Sequence, residues 1–339
     1  MKVHTKRAAW VALVGAAGLA LAGCSGGGGD DGGAAGGDIT LDLATSYNDD
    51  QPQNACGAAV IKEEVEKADV GVSIEIFPSS QLGGDADRIA AVASGDIDMD
   101  IQGASALGAI YEPISVLDAA YAFDGPEHLA AFMASDAGQQ LQQDFADATG
   151  VHSLGAWSAG ARQFTSNEPI REPSDLEGLR IRFPGSPQFL LNAQALGAEP
   201  TEVAYEEVYL ALQQGTVDGQ ENPITNIASL NLQEVQDYLS LTSHQLNTNL
   251  VIMSSAWDDL DEEQQAAVQA GVDKAITDVT QCVADEEAEK LQEWRDGGDW
   301  EIVDDVDTAA FQEQAVSWFE DNLDEDALAV FQSIRDTAE

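Results

Sequence analysis

The chain has 339 residues, enough for two lobes of ordinary domain size, and 44% of them are apolar, so a packed core is available. Its 61 acidic residues against 14 basic ones give a net charge of −47, which excludes nucleic acid and anionic lipid surfaces as natural partners. Apolar periodicity and aromatic residues run through the charged sequence, so the reading is a folded protein with an acidic surface, as suits life at high salt, and not a disordered acidic tract.

Residues 1–23 read as a secretion signal. Lys2, Lys6 and Arg7 precede an apolar run, Val11 to Leu21, that is short for a membrane span. The run ends in Leu21-Ala22-Gly23-Cys24, which resembles the lipobox of bacterial lipoproteins. That resemblance implies lipidation at Cys24 and a protein anchored to the outer face of the cell membrane without spanning it. Residues 24–38 form a Gly-rich tether. Cleavage before Cys24 leaves a charge of 11 − 61 = −50. Cys56 and Cys282 remain, and a disulfide or two buried thiols are both open.

Ile39 to Ala44 alternates as a strand, Pro52 to Ala68 reads as a helix, and Val72 to Phe77 alternates again before Pro78. A helix over Asp85 to Ser94 stops at Gly95, and Ile97 to Ile101 is the next strand. This β-α-β-α-β succession predicts a mostly parallel sheet flanked by helices. Strands are expected at Val151–Trp157, Arg162–Ser166, Leu179–Phe183 and Asn249–Ser254, the first two where the chain crosses between lobes. Helices are expected at 186–196, 205–214, 307–320 and 324–335. Asp261 to Trp294 reads as one long amphipathic helix carrying Val268, Val272, Ile276, Val279 and Val283. The predicted organisation places residues 39–160 mainly in lobe 1 and residues 161–256 mainly in lobe 2. Residues 257–339 form the long bridging helix and helices returning to lobe 1. A ligand cleft between two α/β lobes follows.

Positive charge is scarce, and its placement is informative. Seven arginines follow Cys24, and four of them, Arg162, Arg171, Arg180 and Arg182, fall in a 21-residue window. Arginine is the residue suited to a two-pronged grip on a carboxylate. For Arg171 and Arg180 the reading is pairing with acids of their surroundings, such as Glu168, Glu172, Asp175 and Glu177. Strand alternation alone does not separate Arg180 from Arg182, which share a face.

Several ordered stretches resemble the solute receptors of tripartite ATP-independent periplasmic (TRAP) transporters, the DctP-like family. They are Pro78-Ser-Ser-Gln-Leu-Gly83, Gly160-Ala-Arg-Gln-Phe-Thr-Ser166, Pro173-Ser-Asp-Leu-Glu-Gly-Leu-Arg-Ile-Arg-Phe-Pro184, Leu196-Gly-Ala-Glu-Pro200 and Val217-Asp-Gly-Gln-Glu-Asn-Pro223. Order and spacing agree over roughly residues 39–335. The resemblance implies a two-lobed, class II-like periplasmic-binding-protein fold with mixed sheets, flanking helices and a long lobe-spanning helix. It implies no cofactor, and capture of a small organic carboxylate for a membrane permease. It implies that Arg182 grips the ligand carboxylate, that Arg162 points into the cleft, that Asn222 reaches the same ligand end, and that Tyr205 packs beside the ligand. Asp85 is a candidate acceptor for a ligand hydroxyl or amine, a partner for Arg162, or a helix N-cap. Gln102 and Trp157 are candidates for lining the pocket or for structural roles, and His152 and His244 read as structural. The sialic-acid-binding branch carries polar residues where this chain has Ala44, Gly103 and Gly185, which points to a smaller or less polar acid.

Two other classes stay open at this point. An enzyme acting on small acids would need machinery, and the sequence offers no Ser nucleophile elbow, phosphate loop or metal-binding Cys/His set. A receptor of an ATP-driven importer would share the architecture.

Overall fold

A computed structural model describes residues 39–298 and 300–337. The signal, Cys24 and the tether lie outside the described residues. Nine strands are present among the described residues: β1 (Ile39–Thr45), β2 (Val72–Phe77), β3 (Met99–Gly103), β4 (His152–Ser166), β5 (Arg180–Phe183), β6 (Glu199–Glu202), β7 (Gly219–Pro223), β8 (Tyr238–Met253) and β9 (Glu301–Val303). They form one sheet in the order β2-β1-β3-β8-β4-β7-β5-β6, with β9 on β8.

The sheet is mixed. β1, β2 and β3 run parallel, as do β5, β6 and β7, while β4 is antiparallel to β7 and β8, and β8 is antiparallel to β3 but parallel to β9. The two strands expected at 151–157 and 162–166 are one continuous strand, and β8 begins eleven residues earlier than the expected Asn249. Alternation failed there for a physical reason. Both strands are buried along nearly their whole length, so neither face must be polar. They pair from His152↔Met253 to Ser166↔Tyr238 and shift register three times. Such shifts bend and twist a ladder. β4 and β8 therefore run through both halves of the sheet.

The helix Glu262–Gly297 spans both halves too. It opens on an Asp261/Gln264 capping box and closes on Gly298 at φ +69°. Its buried stripe, Val268, Val272, Val279 and Val283, packs with Leu41, Ile61, Met99 and Trp157 over the first half. Trp294, near its other end, packs with Val208, Ile224 and Leu239 in the second. Cys56 and Cys282 are joined by a disulfide, which ties the start of the first helical segment to this long helix.

The helices Pro126–Ala134 and Asp136–Thr149 were not anticipated, because the first is apolar on most sides with weak periodicity and the second has only two large apolar residues. They bury Leu129, Phe132, Leu141 and Phe145 in the largest core cluster. Among the described residues no helix is long and apolar enough to cross a membrane.

Glu287, in the second half of the long helix, is a half-buried acid whose Oε1 is enclosed and unpartnered. A Cβ on Gly160 (φ +97°) would stand 2.2 Å from that oxygen, so the strand and helix touch there through a glycine. Burial raises the Glu287 carboxyl to about 8. A carboxyl whose pKa is higher folded than unfolded contributes stability below its unfolded value and loses it as pH rises. The loss runs from about 4.5 to about 8, and is on the order of 3–5 kcal/mol. Glu287→Gln is therefore expected to be the more stable protein at pH 8, with a flatter stability–pH curve. Urea melts of both proteins at pH 5 and pH 8 check this; parallel curves would refute it.

Candidate functional site

Parallel pairing brings the C-terminal ends of β5 and β6 side by side, with Arg182 opposite Thr201 and Phe183 opposite Glu202. The chain leaves β5 at Pro184 and passes through Gly185 and Ser186 into the helix Pro187–Leu196. It leaves β6 toward Tyr205. Ends of parallel strands are where α/β sheets build ligand sites. Here they border a cavity of about 540 Å³. Its wall includes all five predicted binding residues, Asp85, Arg162, Arg182, Tyr205 and Asn222, together with Gln102. Trp157 is not on that wall; it is buried in the core cluster under the long helix. Gly103 and Gly185 border the cavity, whereas Ala44 is core.

The two arginines differ in what holds them. Arg162, 3% exposed, is fully occupied. Its Nε and Nη2 donate to the two carboxylate oxygens of Glu221, and its Nη1 donates to Asn247 Oδ1 at 2.6 Å. Its guanidinium also lies 4.6 Å from the centroid of the Phe189 ring. Glu221 is fully buried and receives a further contact from His244 Nε2 at 3.3 Å, with Thr242 on the other ring nitrogen. Burial pushes the Glu221 carboxyl up, but Arg162 and His244 outweigh it and hold it below its ordinary value. Burial lowers His244, so the imidazole is neutral near pH 7.

Arg182 is 2% exposed and has a single protein partner, the Val203 carbonyl, which accepts from Nε at 2.8 Å. Nη1 is buried without a partner. Among the described residues no carboxylate pairs with this guanidinium. Burial pulls its pKa down to about 10, a penalty only partly offset by the Glu221 field. By contrast Arg180 is half exposed and bound to Asp218 at 2.6 Å, and Arg171 pairs with Asp305 at 3.0 Å. Both readings of structural pairing stand, but the partners come from remote segments and not from Glu168, Glu172, Asp175 or Glu177.

Asn222 is buried; its Oδ1 accepts from Arg162 at 3.3 Å and from Asn226 at 3.2 Å. The Tyr205 hydroxyl is buried beside the Gln51 and Ser229 side chains without a well-aligned bond to either, and burial raises it to about 12. Asp85 is neither the N-cap, which is Gly84, nor the partner of Arg162. Its Oδ1 accepts from Ser46 at 2.7 Å and from Arg88 at 2.9 Å, and Arg88 also reaches the buried Asp100 at 3.1 Å.

Sequence reasoning missed Glu221, Tyr47, Asp118 and Ser186. Glu221 stood inside the quoted Gln-Glu-Asn-Pro stretch, but one acid among 61 carries no signal of burial. Asp118 is fully buried on the cavity wall, accepts from the Ser105 and Thr248 backbone N–H groups, and is raised to about 6 by burial.

Removing one member of a buried pair leaves a charge in apolar surroundings. Glu221→Ala is expected to lower unfolding free energy by about 3–5 kcal/mol. Denaturant melts check it, and a loss under 1 kcal/mol would mean that water replaces the carboxylate.

The bacterial extracellular solute-binding protein family 7, DctP, matches residues 44–324. The chain belongs to that family. A solute-binding protein of Roseobacter denitrificans is 36% identical over 236 residues, covering 68% of this chain and 71% of that one. The C4-dicarboxylate-binding periplasmic protein DctP of Rhodobacter capsulatus is 34% identical over 253 residues, covering 73% and 74%. A crystal structure of a TRAP periplasmic solute-binding protein from Roseobacter denitrificans with bound L-galactonate superposes with a TM-score of 0.81 at 30% identity. It covers 88% of this chain and 99% of that one. The DctP fold, with its mixed sheet and long helix, is thus shared with proteins of a transport family.

Proposed function

We propose that this DctP-family protein captures a small organic carboxylate outside the cytoplasm and hands it to the membrane permease of a TRAP transporter. The observation that carries the reading is Arg182: a buried guanidinium on a cavity wall with an unpartnered Nη1 and, among the described residues, no carboxylate of its own. An unpaired buried charge is costly, and a ligand carboxylate is the partner that relieves it. The relatives' ligands, a C4-dicarboxylate and L-galactonate, are acids, which fits the same chemistry.

The geometry supports the following roles. Arg182 gives the fork for the carboxylate, Tyr205 gives a hydroxyl and apolar contact, and Asn222 offers its amide beside them. Arg162, neutralised by Glu221, holds Asn222 and Asn247 in place. Asp85 borders the mouth while bracing Arg88. The two sheet halves close over the ligand by bending β4 and β8 at their register shifts. The ligand stabilises the closed arrangement by binding it better than the open one. No bond is made or broken. Lipidation of Cys24 would keep the receptor near its permease, and the acidic surface suits a salty exterior.

Native mass spectrometry of the purified protein, followed by a thermal-shift screen of organic acids, tests the reading. A ligand at a hundred times its dissociation constant should add roughly 2.7 kcal/mol. A screen in which no acid raises Tm would refute it. Retention of the Cys24→Ser protein in membranes would refute the anchor.

A further inference from the structure

Of the side chains bordering the cavity, three carry a buried polar atom with no partner: Arg182 Nη1, Ser186 Oγ and Tyr205 Oη. All three sit where the parallel strands β5 and β6 end, so the enclosed unpartnered atoms of this wall gather at one place. Around the rest of the wall the side-chain oxygens are largely engaged, while the Nδ2 groups of Asn247 and Asn249 donate to no acceptor of the described residues. The Tyr47 hydroxyl donates to Asn249 at 3.0 Å. Gln102 donates to Asp100 at 3.2 Å and accepts from the Gly103 N–H at 2.9 Å. Asn226 accepts from Gln51 at 3.0 Å and donates to Asn222.

The wall supplied by the helix Asp85–Ser94, by residues 106–110 and by the helix Pro187–Leu196 is largely apolar: Ile89, Ala90, Ala106, Ala109, Ile110 and Phe189. Charge points the same way. Among the described residues two cations border the cavity, and one of them, Arg162, is cancelled by Glu221. Asp85, Glu202 and Glu206 border it as well. A second ligand carboxylate would find no free cation and several like charges. A polyhydroxylated body would leave its hydroxyls against alkyl groups, at a cost for each unpaired one.

We propose, building on the carboxylate reading above, that the ligand is a singly charged organic acid with an apolar body. Its head is held by Arg182, Ser186 and Tyr205, and its body lies on Ile89, Ala106 and Ile110. Ser186 is thereby a ligand-binding residue, its hydroxyl donating to the second carboxylate oxygen. The chain then differs in ligand class from its relatives whose ligands are C4-dicarboxylates or L-galactonate.

Three six-carbon acids separate the possibilities: hexanoate, adipate and gluconate, titrated calorimetrically into the purified protein at fixed pH and salt. Hexanoate is expected to bind at least tenfold tighter than either of the others. Ser186→Ala should weaken hexanoate at least threefold with the Tm of the empty protein unchanged, and Ile110→Asn should weaken it about tenfold. Adipate or gluconate binding as tightly as hexanoate, and losing that binding in Arg182→Met, would overturn the apolar-body proposal while leaving the carboxylate reading intact. None of the three binding, with Arg182→Met indistinguishable from the parent in a wider acid screen, would overturn both. Unchanged hexanoate affinity in Ser186→Ala removes that residue from the head site.

Discussion

Arg182→Met is expected to lose at least tenfold in affinity for the bound acid and, at the same time, to stabilise the empty protein. The first effect removes a charge-assisted fork worth about 1.5–3 kcal/mol. The second follows from the state of the guanidinium without ligand. Its pKa falls from the ordinary arginine value to about 10 because burial strips its water and no carboxylate of the described residues replaces it, which corresponds to about 3 kcal/mol of penalty. Methionine fills similar volume without the charge. Even with the Val203 carbonyl left unpaired, the variant should melt roughly 2–4 °C higher when empty. Calorimetric titration and thermal melts of apo and acid-saturated protein read both effects. A variant that melts lower when empty would show that Arg182 is held for the fold; one that keeps its affinity would show that the acid sits elsewhere.

The Cys56–Cys282 disulfide closes a loop of 226 residues, so its removal carries the largest stability change expected here. Chain-entropy reasoning puts the constraint on the unfolded state at about 5 kcal/mol for a loop of this length. The doubly substituted Cys56→Ala/Cys282→Ala protein is expected to lose most of that, with the folded geometry kept by the helix packing around Gly271 and Ile61. Ligand affinity should change little, because neither cysteine borders the cavity. Guanidinium melts of the oxidised parent and the variant measure the difference. A change below 1 kcal/mol would mean that the long helix is held to the first helical segment by packing alone and that the unfolded chain is already compact there.

The local elements were legible where one face of a segment is polar. The helix at Asp85–Ser94 was anticipated to the residue, and the long helix Glu262–Gly297 starts one residue later than expected, after its Asp261 cap. These patterns are local, since apolar residues every three or four positions and a capping acid need nothing from the rest of the chain. The strands β4 and β8 were misread as fragments, because strands buried on both faces lose the alternation that marks them. β6, β7 and β9 are short and gain their strand character from neighbours distant in sequence.

The sequence alone therefore determined the scarcity of positive charge, the cluster of four arginines, the amphipathic helices and the family to which the ordered motifs belong. Only the tertiary structure could assign work to the arginines, because a carboxylate partner is a matter of distance and not of order. Asp218 takes Arg180, Asp305 takes Arg171 and Glu221 takes Arg162, across 38, 134 and 59 residues. What distinguishes Arg182 is that, among the described residues, no carboxylate partners it in its buried place. In a chain with 61 acids, that difference becomes visible only once the acids of the described residues have been placed.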